Sequence, residues 1–168
     1  MKTSYLTKGG ILSALGVIFI YLSTIAPTNK LFLLVISSAL IPLGVIGTNI
    51  KVALGIYTST SLLGLFIIGF KGSVFLYIIF FGIYGIIKLY IEKIGTLHLE
   101  LIAKFVFFNL CLYIAYLAIY LVLPNFDLNK LPLPLPIILI LLEVSFFLYD
   151  YALTLFIHKA AKFFRKNS

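Results

Sequence analysis

The chain has 168 residues, 62% of them hydrophobic and only 11% charged, with a mean hydropathy of +1.19. A soluble domain is roughly 45–50% apolar and about 25% charged, and at this size it buries only about 70% of its unfolded surface. That excess of apolar surface excludes a water-soluble globular fold, and the formal net charge of +8 is first of all a topology signal.

A membrane-spanning helix needs about 20 mainly apolar residues, and six stretches qualify: Gly9–Ala26, Leu31–Gly47, Val52–Phe70, Ser73–Ile91, Leu101–Leu123 and Ile137–His158. The first is preceded by Lys2 and Lys8, like a secretory signal, but it approaches full spanning length and has no small-x-small cleavage site. It is expected to stay as a first helix. Turn chemistry separates the spans: Pro27-Thr28-Asn29-Lys30, Gly47-Thr48-Asn49 and Gly69-Phe70-Lys71-Gly72;. Glu92 to Glu100 reads as an amphipathic connector. In Pro124 to Pro136, prolines 132, 134 and 136 alternate with leucines, which predicts an extended, stiff segment. A membrane barrel would show ~10-residue alternating segments, whereas these runs are continuous and about twice as long. The fold class is therefore all-α: one membrane domain over 1–168, a six-transmembrane-helix bundle, with no soluble domain expected at either end.

Charge orients the bundle. With a cytoplasmic N-terminus, the inner set is Lys2, Lys8, Lys51, Lys88, Lys93, Lys104, Lys159, Lys162, Arg165 and Lys166, against only Lys30, Lys71 and Lys130 outside. Ten against three is a strong positive-inside bias. An even number of spans puts both termini on one side, and both are basic, so both are expected in the cytoplasm. The basic C-terminal segment reads as a topological anchor near anionic lipid, not a nucleic-acid site.

Ionisable residues at membrane depth cost at least ~2.5–3.5 kcal/mol at a helix centre and are functional candidates. Glu143 and Asp150 lie seven residues apart in the last span, on nearly one face and about two turns apart. Asp150 falls roughly 4 Å inward of the span's centre and Glu143 about 7 Å outward. The run Tyr57-Thr58-Ser59-Thr60-Ser61 occupies the middle of the third span, and Asn109, Tyr113, Tyr116 and Tyr120 share one face of the fifth;. Centring the last two helices against each other puts Asn109 level with Asp150 and Tyr116 level with Glu143. The candidate substrate-binding set is Glu143, Asp150, Asn109, Tyr113, Tyr116, Tyr57, Thr58 and Ser61. The same groups have structural uses: hydroxyls bond back to their own helix, an asparagine or carboxylate joins two helices, and tyrosines pack. Lys88 and Glu92 are spaced for a local ion pair, and Lys104 is placed to snorkel.

Chemistry is limited. Cys111 is the only cysteine, so there is no intrachain disulfide or zinc cluster, and it reads as a small buried hydrophobe. His98 has no partner at metal-ligand spacing, and His158 sits at a helix end that favours a cation. Tyr149-Asp150 is half of an intramembrane aspartyl-protease pattern, but no Gly-x-Gly-Asp partner occurs. The Gly-x-Ser-x-Gly, His-Glu-x-x-His and phosphate-loop signatures are also missing;. The chain does not read as an enzyme and is expected to need no cofactor; if it transports actively, the energy must come from an ion gradient or another subunit.

In size, six helices, cytoplasmic termini and the small-residue pair Gly10-xxx-Ala14, the chain resembles a substrate-binding S component of an energy-coupling factor (ECF) vitamin transporter. Phe80-Phe81-Gly82-Ile83-Tyr84 and Leu148-Tyr149-Asp150-Tyr151 also resemble uncharacterised bacterial six-helix membrane proteins. The ECF resemblance implies a micronutrient-type ligand and a plasma-membrane location. It further implies a transmembrane coupling subunit, two ATP-binding subunits, and docking through Gly10, Ser13 and Ala14. It places ligand in the outer half, near Glu143 and Tyr116, with Pro124–Pro136 as a gate. Separately, the anionic Glu143 would favour a substrate with an amine or another hydrogen-bond donor. Two alternatives stand beside it: a scaffold or sensor whose carboxylates join helices, and a proton- or cation-coupled carrier using Glu143 and Asp150 as relays.

Overall fold

A computed structural model describes residues 3–122 and 134–166. Among them the chain is all-helical, and six helices are long and apolar enough to cross a membrane, as in a multi-pass membrane protein. They are α1 (Thr3–Ile25), α2 (Lys30–Gly47), α3 (Ile50–Ile68), α4 (Gly72–Ile94), α5 (Leu97–Val122) and α6 (Leu135–Lys166). Each turn has a local cause. Asn29 adopts a left-handed φ of 65° between α1 and α2, a conformation that asparagine tolerates better than most residues. The Asn49 side chain accepts the Val52 amide at 3.0 Å and caps α3;. Gly69 and Gly95, at φ 82° and 74°, end α3 and α4.

Two expectations about connections change. Glu92 to Glu100 is not a separate connector. Glu92–Ile94 is a 3-10 turn closing α4, and α5 starts at Leu97, so only Gly95 and Thr96 lie between. Pro136 belongs to the first turn of α6, where its missing amide is harmless. Positions 123–133 of the predicted proline-rich gate lie outside the described residues.

Helix α2 is the centre, packed against α1, α3, α4 and α6. Small residues allow the closest approaches. A Cβ at Gly16 would sit 2.9 Å from Thr60, and one at Gly85 would sit 3.0 Å from Pro42. The Ser37 hydroxyl also donates to the Gly16 carbonyl at 3.1 Å. Helices α5 and α6 are the least enclosed. At about 1.5 Å per residue, the 32 residues of α6 extend ~48 Å, well beyond a hydrocarbon core of about 30 Å. Its last turn brings Phe164 beside Gly47, at the end of α2.

Within α4, Tyr77–Phe81 is π-helical. A π-segment displaces carbonyls from the regular ladder, and here two of them meet side chains of other helices. The Tyr57 hydroxyl donates to the Ile78 carbonyl at 3.0 Å, and the Cys111 thiol donates to the Ile79 carbonyl at 3.4 Å. Gly82 follows directly, with the Tyr57 ring 2.7 Å from where its Cβ would be. The irregular turn is thus fixed by α3 on one side and α5 on the other.

Candidate functional site

Asp150 is buried in α6 and gathers its partners from two neighbouring helices. Its Oδ1 accepts from the Tyr84 hydroxyl at 2.6 Å and from the Lys88 ammonium, and its Oδ2 accepts from Lys104 at 2.8 Å. Lys88 has no exposed surface and also reaches Glu92 at 2.7 Å, the i,i+4 pair read from the sequence. Lys104 lies 3.7 Å from Glu92. Two ammonium and two carboxylate groups are therefore formally balanced, which is how charge survives out of water. Lys104 does not snorkel. It turns inward to Asp150 and is nearly buried.

This cluster sets the register between α5 and α6. Lys104 faces Asp150, and one step along, the Asn109 amide donates to Glu143 Oε1 at 2.7 Å. The expected layers, Asn109 with Asp150 and Tyr116 with Glu143, do not form. The opposite residue is displaced by seven positions, about 10 Å along the helix. Centring the helices fails because α6 projects beyond the start of α5. Glu143 is half-buried, and its Oε2 is buried without a hydrogen-bond partner among the described residues.

The remaining sequence candidates are dispersed. Tyr113 and Tyr116 are exposed on the outer face of α5. Tyr57 braces the π-turn, and Thr58 bonds back to Leu54 and Gly55 on its own helix. Ser61 is buried, and its hydroxyl is unpaired among the described residues. Thr60 is the member of this run that reaches α1, its hydroxyl 3.5 Å from the Ser13 carbonyl.

Directly beside the ionic cluster, towards the end of the bundle where α2, α4 and α6 begin, lies a cavity of about 310 Å³. Ligand pockets start near 300 Å³, and ~150 Å³ already holds benzene. Its walls are almost wholly apolar and come from four helices: Val35 of α2, Phe80 of α4, Cys111 and Ala115 of α5, and Ser145 and Tyr149 of α6 among them. The polar lining atoms are already engaged. Ser145 donates to the Leu141 carbonyl at 2.7 Å, the Tyr149 hydroxyl pairs with Ser38 at 2.8 Å, and Cys111 serves the π-turn. Aromatic rings floor the cavity. Phe108 and Phe146 stack with centroids 4.5 Å apart, and Phe80 packs on Phe146, Tyr149 and Tyr84. Tyr84 stacks on Phe80 and bonds Asp150, so it joins the ionic cluster to the aromatic floor. None of the eight sequence candidates lines this cavity.

A second concavity of about 410 Å³ runs between α1 and α3, lined by Gly10, Ser13, Ala14, Gly55 and Ser59 among others. Gly10 and Ala14 are exposed, and a Cβ at Gly10 or Gly55 would meet nothing within 4 Å. Ser13 is buried and bonds back to Gly9 at 2.9 Å, so Gly9, Ser13 and Gly16 are used up by packing within the chain. Only Gly10 and Ala14 of the small-residue patch remain on the surface.

Sequence reasoning missed the apolar cavity and the partners of Asp150. Phe80 and Phe81 carried no polar signal, and the 150/104/88/84 constellation spans three helices with no fixed spacing. A signal for the second did exist: Asp150 is too far inside an apolar run to remain uncompensated. The chain matches no protein-family model, no curated protein and no solved structure.

Proposed function

We propose that this protein binds a small, mainly apolar molecule in the four-helix cavity, as the substrate-binding subunit of an uptake system in the plasma membrane powered by other subunits. The cavity itself carries this reading. A pocket of about 310 Å³ walled by aromatic and aliphatic groups offers a small apolar molecule dispersion contacts from four helices. The distribution of basic residues supports cytoplasmic termini. With Lys88 and Lys104 assigned to the ionic cluster, eight of the inner cations remain, against three outside;. The cavity then opens in the outer half, where an S component would hold its ligand. The α1–α3 groove, with Gly10 and Ala14 exposed, is the docking face for a coupling subunit.

Asp150 serves this arrangement as a tie between α4, α5 and α6. Its carboxylate is fully partnered by cations and a hydroxyl, which leaves it poorly suited to relay protons as a carrier would require. An amine preference has no support in the cavity, because Glu143 lies outside it and is held by Asn109.

Cys111, the single cysteine, lines the cavity and reports its occupancy. In detergent-solubilised protein, naphthalene should slow alkylation of Cys111 by N-ethylmaleimide, and Ala115→Phe, which fills the wall, should abolish that protection. Unchanged alkylation with saturating naphthalene in the wild-type protein refutes the reading. For the partner, Gly10→Leu should leave the subunit's melting temperature unchanged and reduce co-purification of ATPase and coupling subunits. Capture of an unrelated complex would favour the scaffold alternative.

A further inference from the structure

A third concavity, of about 420 Å³, lies at the same end of the bundle. Thr24, Lys30 and Leu34 line it from one side, and Lys71, Gly72 and Ser73 line it from the other. Leu31 and Leu76 belong to this lining and also to that of the apolar cavity, so the two spaces adjoin at those side chains. The two linings differ in chemistry. The inner one is almost wholly apolar, and the outer one includes Lys30, Lys71, Thr24 and Ser73.

Lys30 and Lys71 form no ion pair with any described residue. Of the acidic residues, Glu92, Glu100, Glu143 and Asp150 line neither space. Both lysines also run against the positive-inside bias, since each sits on the side where cations are otherwise avoided. Yet they converge on one concavity from the starts of two different helices, α2 and α4. Leu31 directly follows Lys30, and Leu76 lies five residues after Lys71. The positive groups are thus tied by short chain segments to the residues at the cavity's boundary.

We infer that the ligand is an amphipathic anion: an apolar, ring-containing body in the aromatic cavity and a carboxylate or phosphate head between Lys30 and Lys71. The inference rests on the reading of the cavity as a ligand site and adds the charge of the ligand to it. An ammonium is a strong point-charge partner for such a head. The apolar walls then supply most of the affinity and the lysines supply the selection.

The test compares three probes of one shape: 1-naphthaleneacetate, its neutral amide 1-naphthaleneacetamide, and cationic 2-(1-naphthyl)ethylamine. Affinities are measured by equilibrium dialysis against the solubilised full-length protein. The acetate should bind about tenfold more tightly than the amide, and its advantage should shrink at high salt. In Lys30→Gln/Lys71→Gln the acetate should fall to the level of the amide while amide affinity holds. In Lys30→Glu/Lys71→Glu the preference should turn towards the amine. Both lysines are exposed, so the variants should melt with the wild type. Equal affinity for acetate and amide, or an acetate preference that survives both double variants, overturns the anionic head and leaves the apolar cavity standing. Failure of all three probes to bind or to protect Cys111 overturns the cavity reading and this inference with it.

Discussion

Replacing Asp150 with asparagine removes one charge from a balanced set of four without changing the side chain's size. At 2.8 Å and an effective dielectric near 20, the gross attraction of Lys104 to Asp150 is about 6 kcal/mol. Much of it is offset by the cost of taking both groups out of water, so the gross figure is not the net effect. The relevant quantity is the cation left behind. Lys88 has no exposed surface and keeps only Glu92 at 2.7 Å, while Lys104 keeps only Glu92 at 3.7 Å. Two ammonium groups then share one carboxylate. Removing one partner of a buried pair costs about 3–5 kcal/mol. At roughly 2–4 °C per kcal/mol for a chain of this size, the variant should melt about 6–20 °C below the wild type in nanodiscs. The compensating variant Asp150→Asn/Lys104→Met restores the balance with Lys88 and Glu92 alone. It should recover at least about 1 kcal/mol, within the coupling range for contacting residues. A single variant that melts within about 2 °C of the wild type, or a double variant no more stable than the single, would refute the view that charge balance holds α4, α5 and α6 together.

Two further outcomes follow from the packing. Gly82→Val should lower the melting temperature by an amount equivalent to about 1–3 kcal/mol, because the Tyr57 ring is 2.7 Å from its Cβ position; Gly55→Ala, which meets nothing within 4 Å, should be silent. Equal effects at the two positions would contradict the described approach of α3 to α4. Tyr57→Phe removes the donor to the Ile78 carbonyl at 3.0 Å and should cost about 1 kcal/mol, read as a similar drop in denaturation midpoint. It should also accelerate alkylation of Cys111, which is bonded to the adjacent Ile79 carbonyl. An alkylation rate identical to wild type would show that the π-turn does not depend on Tyr57.

The number and type of the spans were legible in the chain because they depend on local quantities. Continuous apolar runs of spanning length have no alternative in lipid to a helix that satisfies its own backbone, and Asn49, Gly69 and Gly95 mark ends by backbone conformation or capping that needs no distant partner. The Lys88–Glu92 pair was legible for the same reason, being one turn apart. The tertiary structure decided what depended on the rotation and sliding of one helix against another. Asp150 meets Lys104 and Asn109 meets Glu143 because α6 overshoots α5, and hydropathy is blind to such a slide, since lipid-facing and protein-facing positions are equally apolar. The cavity likewise arises where Phe80, Cys111, Ala115 and Tyr149 of three helices fail to fill the space between them, and that shortfall of volume is written in no single segment.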